Sequence, residues 1–83
     1  MKKKDEIQIV LEISHAVKAV PNGFEYIMSR KISEHPDDWY LYRVLARKDD
    51  DNFVVWTYNA TTEGLNNGHY GMSQDDAYKL YIE

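Results

Sequence analysis

The stretch WYLYRVLARKDDDNFVVWTYN, residues 39–59, decides the fold. Its two arms, 39–48 and 53–59, are rich in aromatic and β-branched residues, which favour strands. The polar run 49–52 between them has the length of a short hairpin loop. The sequence therefore predicts an antiparallel β-hairpin in the middle of the chain.

Two more strands and a helix are predicted beside the hairpin. Apolar and polar residues alternate over residues 24–32, and a shorter strand is expected over residues 67–72 after a turn that carries Gly64. Ser73 followed by Asp76 resembles a capping box, with Asp in place of the usual Glu or Gln. A last helix is therefore expected to begin there.

The first segment fits two structures. A strand would suit an alternating apolar set, which consists of Ile7, Ile9, Leu11 and Ile13. A helix would suit a stripe at three- and four-residue spacing, which consists of Val10, Ile13, Val17 and Val20. The segment has no breaker before Pro21 and Gly23, so it exceeds an ordinary strand, and Asp5 is a suitable N-cap. We therefore predict a helix over residues 5–20, with a strand over residues 7–13 as the alternative.

The predicted order of elements is α-β-β-β-β-α. Connections of hairpin length favour an antiparallel four-stranded meander, because parallel neighbours need long crossovers. We expect an α+β fold with the N-terminal and the C-terminal helix packed on one face of the sheet. The 83 residues suffice for one small domain, residues 1–83.

Charge and composition narrow the functional classes. The net charge of −4 disfavours a general nucleic-acid binder, although residues 1–48 carry nine Lys and Arg against seven Asp and Glu. No apolar run approaches the ~18 residues of a membrane span, and the basic start lacks the apolar run of a signal peptide. The chain has no cysteine. We predict a soluble cytoplasmic protein without a membrane partner.

No residue pattern indicates a catalytic or metal centre. The three histidines, His15, His35 and His69, lie in three different elements without metal-ligand spacing. The glycines do not form a phosphate-binding loop. We therefore predict no enzyme activity, no catalytic residue, no metal and no cofactor. His69 with Glu63 or Arg43 could serve a small hydrolase or nuclease, which is the weakest hypothesis.

The hairpin determines which side chains share a face. A loop of two or four residues places Leu45 opposite Trp56 and Arg43 opposite Tyr58. One face then holds the residues that we predict to form an interaction surface. These are Trp39, Leu41, Arg43, Arg47, Trp56 and Tyr58.

The position of Arg43 suggests which face is open. Burying an unpaired arginine would cost several kcal/mol, so we place the helices over the opposite face, which carries Val44, Ala46 and Val55. The aromatic face is then exposed to solvent. The alternative is that the tryptophans are core residues and that Arg43 extends its charge to the sheet edge.

The second half of the chain resembles a known group of small proteins. The run VVWTYNATTEGLNNGHYG, residues 54–71, followed by an acidic helix, is similar to small uncharacterised proteins of low-GC Gram-positive bacteria and their phages. The resemblance covers roughly the last 45 of the 83 residues. It contains no mechanistic motif and implies a biological context but no activity.

An open aromatic face with arginines is typical of binding hot spots. We therefore predict a non-enzymatic protein-interaction module, such as a phage-type accessory or inhibitor protein. Its partner would be another protein or a second copy in a homodimer. The alternative is single-stranded nucleic acid, with bases stacked on the aromatic residues and Arg43 and Arg47 on phosphates. The acidic charge disfavours that alternative.

Overall fold

The chain folds as helix, four strands and helix in a computed structural model that describes residues 3–21, 23–32, 35, 37 and 39–83. The strands form one antiparallel sheet, in which each strand pairs with its neighbours in the chain. This confirms the predicted α-β-β-β-β-α meander. The elements are α1 (Glu6–Ala19), β1 (Glu25–Lys31), β2 (Leu41–Asp49), β3 (Asn52–Asn59), β4 (Gly64–Met72) and α2 (Gln74–Ile82).

Both helices begin where the sequence predicts them. The Asp5 side chain accepts a hydrogen bond of 2.8 Å from the backbone N–H of Gln8 and caps α1. The helix is therefore the correct alternative for the first segment. The Ser73 hydroxyl accepts from the backbone N–H of Asp76 at 3.2 Å and caps α2 in the same way.

The two helices pack on opposite faces of the sheet, so the prediction that they share one face is wrong. α1 contributes Ile9, Ile13 and Val17 to a cluster that we call the α1-side core. The other members of this cluster are Tyr42, Val44, Ala46, Val54, Trp56, Tyr58 and Ala60. α2 contributes Ala77 and Tyr81 to the α2-side core, in which they pack against Leu45, Phe53 and Val55 of the sheet. Since β2 and β3 are apolar on both faces, each face is covered by a helix of its own.

A β-bulge at the end of β2 accompanies a hairpin register that differs by one residue from the predicted one. Arg47 pairs with Phe53, whereas Asp49 pairs with Asn52, so Lys48 is the extra residue. Val44 consequently lies opposite Trp56, one residue from the predicted pairing. A shift of one residue moves every side chain of one strand to the other face. Trp56 and Tyr58 therefore share a face with Val44 and not with Arg43.

The last strand is longer than predicted. β4 begins at Gly64, three residues before the expected start at residue 67. The turn before it needs only a few residues because the Asn59 side chain accepts backbone N–H bonds from Thr61 and Thr62. Glu63 completes the turn with a left-handed φ of 58°.

Two arginines hold the C-terminal end of α2 on the sheet. Arg43 Nη1 donates to the Leu80 carbonyl at 3.0 Å, and Arg30 Nε donates to the Tyr81 carbonyl at 2.9 Å. The Arg30 guanidinium also lies 5.5 Å from the centre of the Tyr81 ring. These bonds go to carbonyls in the last turn of the helix, and the positive charges complement the helix dipole.

Candidate interaction surfaces

The structure does not form the open aromatic face that the sequence predicts. Trp56 and Tyr58 are core residues, with 3% and 1% of their surface exposed. Trp56 Nε1 donates to the Tyr70 hydroxyl at 2.9 Å, and its ring meets the Phe24 ring edge-on at 5.4 Å. The predicted grouping of six residues on one exposed face is therefore wrong, because β3 pairs with β2 one residue away from the predicted register.

The other four predicted residues are placed separately. Trp39 precedes β2 and packs against the α1-side core, with its ring edge-on to Tyr40 at 5.8 Å. Leu41 is half-buried at the start of β2, where it pairs with Asn59. The guanidinium of Arg43 is engaged with the end of α2, although its Nε is buried without a hydrogen-bond partner. The Arg47 side chain is 41% exposed and lies near Glu25 and Asp50.

A groove lies between the first half of α2 and strands β1 and β2. It has a volume of about 460 Å³. Its floor includes the buried side chains of Leu45 and Phe53, each 5% exposed. The lining residues of this surface, which we call the α2 groove, are Glu25, Tyr26, Ile27, Met28, Leu45, Arg47, Phe53, Gln74 and Tyr78.

A second bulge shapes the wall of the α2 groove. Tyr26 pairs with Ala46 and Met28 with Leu45, so Ile27 is an extra residue in β1. Ile27 packs against the α2-side core, and Met28 beside it is partly exposed. The bulge therefore supplies two apolar side chains at one level of the sheet, next to the floor of the groove.

The rim of the α2 groove carries charged side chains that form long ion pairs. Arg47 Nε lies 3.7 Å from a Glu25 carboxylate oxygen, and Arg47 Nη1 lies 3.9 Å from an Asp50 oxygen. Both distances exceed those of a charge-assisted hydrogen bond, and both partners are exposed. Such exposed pairs contribute little to stability, so Arg47 is free to exchange them for a carboxylate of a partner.

A polar cluster on the other side of the sheet has a structural role. Lys4 Nζ donates to Glu63 at 2.7 Å, to Glu12 at 3.0 Å and to the Ala60 carbonyl at 2.9 Å. The bond to Glu63 raises the pKa of Lys4 above its usual value. Tyr58 donates its hydroxyl to Glu12 at 3.0 Å, and burial raises the pKa of Tyr58 well above its usual value. The cluster ties the start of α1 to the turn before β4.

The residues considered for acid–base chemistry, His69 with Glu63 or Arg43, do not form one site. Glu63 is bound to Lys4, and Arg43 is bound to the end of α2. His69 is an exposed residue of β4 that pairs with Val55. Within the described residues, His, Asp and Glu form no group of three that could hold a metal ion.

Apart from Arg47, the residues of the α2 groove were missed by the sequence reasoning. One signal was present, since consecutive apolar residues in β2 and β3 predict burial of both faces of the sheet. The bulges in β1 and β2 carry no comparable signal, because neither contains a glycine or another turn residue. No helix among the described residues is long and apolar enough to cross a membrane, and the predicted cytoplasmic location stays a prediction.

Comparison with known proteins identifies a family. The family model described as large polyvalent protein associated domain 24 matches residues 15–76, from within α1 to the first turn of α2. The chain belongs to this family, since the match spans most of its length. No curated protein and no solved structure matches significantly. The Gram-positive and phage context implied by the resemblance stays a prediction.

Proposed function

We propose that this member of the large polyvalent protein associated domain 24 family is a non-enzymatic protein-interaction module that binds a protein partner in the α2 groove. The observation that carries the proposal is the groove itself, about 460 Å³ with a floor of buried apolar side chains. This volume lies within the range of ~300–1,000 Å³ that is usual for small-molecule pockets, so the groove is large enough to accept side chains of a partner. The family description fits a domain that works beside others in a larger protein.

The distribution of chemistry in the groove suits a protein partner. The floor and one wall are apolar, whereas the charged groups Glu25 and Arg47 lie at the rim. An apolar floor with a polar rim is the usual anatomy of a protein interface. A large apolar side chain of the partner would contact Leu45 and Phe53, and a carboxylate beside it would pair with Arg47.

Binding of single-stranded nucleic acid is not supported, because two of the rings expected to stack on bases are buried. It required exposed rings, and Trp56 and Tyr58 lie in the core under α1. Arg43, which was expected to contact phosphate, instead binds the carbonyl of Leu80.

A selection from displayed random peptides tests the proposal. The full chain is immobilised, and enriched peptides are measured by fluorescence anisotropy against the wild type and the groove variants Tyr78→Ser and Met28→Ser. Both residues line the groove and are partly exposed, so the fold should tolerate the changes. Each variant should weaken binding by about tenfold or more, as expected when an anchor contact is lost.

The matched control is Ile82→Ser. Ile82 is an exposed aliphatic residue at the other end of α2 and does not line the groove. Its replacement should leave peptide affinity unchanged. A selection that enriches no peptide, or enriched peptides that bind both groove variants as tightly as the wild type, would overturn the proposal.

A further inference from the structure

The outer side of α1 carries an apolar stripe that the described part of the chain leaves uncovered. Ile7 and Leu11, one helical turn apart, are 76% and 58% exposed. They are the two most exposed large apolar residues of the described structure. With Ser14 and Lys18 they follow a spacing of four, three and four residues, which keeps them on one side of the helix. We call these four residues the outer stripe.

We propose that α1 pairs with α1 of a second copy of this chain, antiparallel and through the outer stripe. A two-fold contact covers the same patch on both copies, so one exposed stripe is sufficient. The stripe lies on the other side of the sheet from the α2 groove. The inference is therefore independent of the proposed partner site.

The charges of α1 favour a second copy in the antiparallel direction. The first turn carries Glu6 and the last turn carries Lys18, which lie about 18 Å apart at 1.5 Å per residue. Neither side chain makes an ion pair within the described residues. With the two-fold axis near the middle of α1, each Lys18 lies at the level of Glu6 in the other copy. A parallel pair would instead place like charges together.

The same arrangement brings the apolar residues together. With the axis near residue 12, the two copies of Leu11 lie next to each other at the centre. Each Ile7 lies beside the aliphatic part of Lys18 in the other copy, whose ammonium group remains at the wet rim. The two helix dipoles are also antiparallel, which favours the pairing.

The contact is small, so the dimer is expected to be weak. Four residues per copy are far fewer than the ~20–30 residues per side of a standard interface. We expect a Kd of about 0.1–1 mM. Sedimentation equilibrium of the full chain, at concentrations that span this range and at low salt, measures it directly.

The first test removes the apolar centre of the contact. Leu11→Ser should raise the dimer Kd by about tenfold or more. The control Ile82→Ser changes an aliphatic residue that is 53% exposed on α2, and it should leave the Kd unchanged. Circular dichroism should show that both variants keep their helices.

The second test exchanges the charges. Lys18→Glu should raise the Kd by about threefold to tenfold, since a weak exposed pair is lost twice in a symmetric dimer. Adding Glu6→Lys should restore the wild-type Kd, whereas a parallel dimer would not respond in this way. A wild type that stays monomeric would show that a different partner or none covers the stripe. That result, or a double variant that fails to regain affinity, would overturn the inference.

Discussion

Replacement of Gly68 by alanine should destabilise the protein through a specific close contact. A Cβ atom at this position would lie 2.5 Å from Tyr70 Cε1 and 2.8 Å from Trp56 Nε1. Carbon contacts are optimal at ~3.5–4.0 Å, so one of the rings must move. Trp56 is fixed in the core, whereas Tyr70 is half-exposed and has space to swing outward.

The cost follows from what Tyr70 gives up when it moves. It loses the hydrogen bond from Trp56 Nε1, a contribution of about 0.5–1.5 kcal/mol. It also loses edge-on contacts with Trp56 at 5.8 Å and with Phe24 at 6.0 Å, which contribute about 0.5–1.5 kcal/mol per pair. Because movement of Tyr70 relieves only part of the clash, Gly68→Ala should lower the free energy of unfolding by about 1–3 kcal/mol, the usual cost of overpacking.

Gly64 supplies a matched control on the same strand. A Cβ atom there meets nothing closer than 3.9 Å, and neither glycine has a positive φ. Gly64→Ala should therefore be neutral or should stabilise the protein by up to about 1 kcal/mol, through a less flexible unfolded chain.

Urea unfolding followed by circular dichroism measures both changes. In a Tyr70→Ala background the cost of Gly68→Ala should fall, because the ring contact is then absent. Equal unfolding free energies for the two glycine variants, or an undiminished cost without Tyr70, would refute the reasoning.

Three further predictions concern the cap of α2, the buried Tyr58 and the hairpin bulge. Ser73→Ala should lower the urea midpoint, with a loss of about 0.5–2 kcal/mol, because the Asp76 N–H loses its acceptor. Burial raises the pKa of Tyr58, so the folded state keeps a proton that the unfolded chain releases near pH ~10. Stability should consequently fall as pH rises above that value, and less steeply in Tyr58→Phe, as measured by urea midpoints between pH ~8 and ~11. Deleting the bulged Lys48 should leave the register of β2 and β3 intact, and the Trp56 amide and indole NMR signals should show small shifts only.

Sequence periodicity was sufficient for the elements and their order. Residues 5–20 match α1 closely, because a helical stripe, an N-cap and a terminating turn agree with one another. The strands of the central hairpin follow equally from their aromatic and β-branched residues. Turns and helix caps depend on residues that are close together in the chain, so they can be recognised from a single sequence.

The assignment of faces could not be predicted in this way. It depends on the pairing of Val44 with Trp56, which differs by one residue from the pairing that a turn without a bulge would give. A tight turn at residues 49–52 without a bulge would place Leu45 opposite Trp56. The observed pairing instead lets Trp56 contact Phe24 and Tyr70 while Arg43 faces α2. The packing of both cores therefore sets the register, and the bulge accommodates the turn.

The position of Arg43 explains why the wrong face looked open. The argument that an unpaired arginine is costly to bury is correct, but Arg43 is not unpaired, since the C-terminal carbonyl of Leu80 accepts its hydrogen bond. Arg30 binds the next carbonyl from β1, so the two arginines fix the end of α2 against the sheet. With that end held, the first half of the helix borders the α2 groove, which Tyr78 and Met28 both line. The residues that anchor α2 therefore also determine where the sheet remains accessible to a partner.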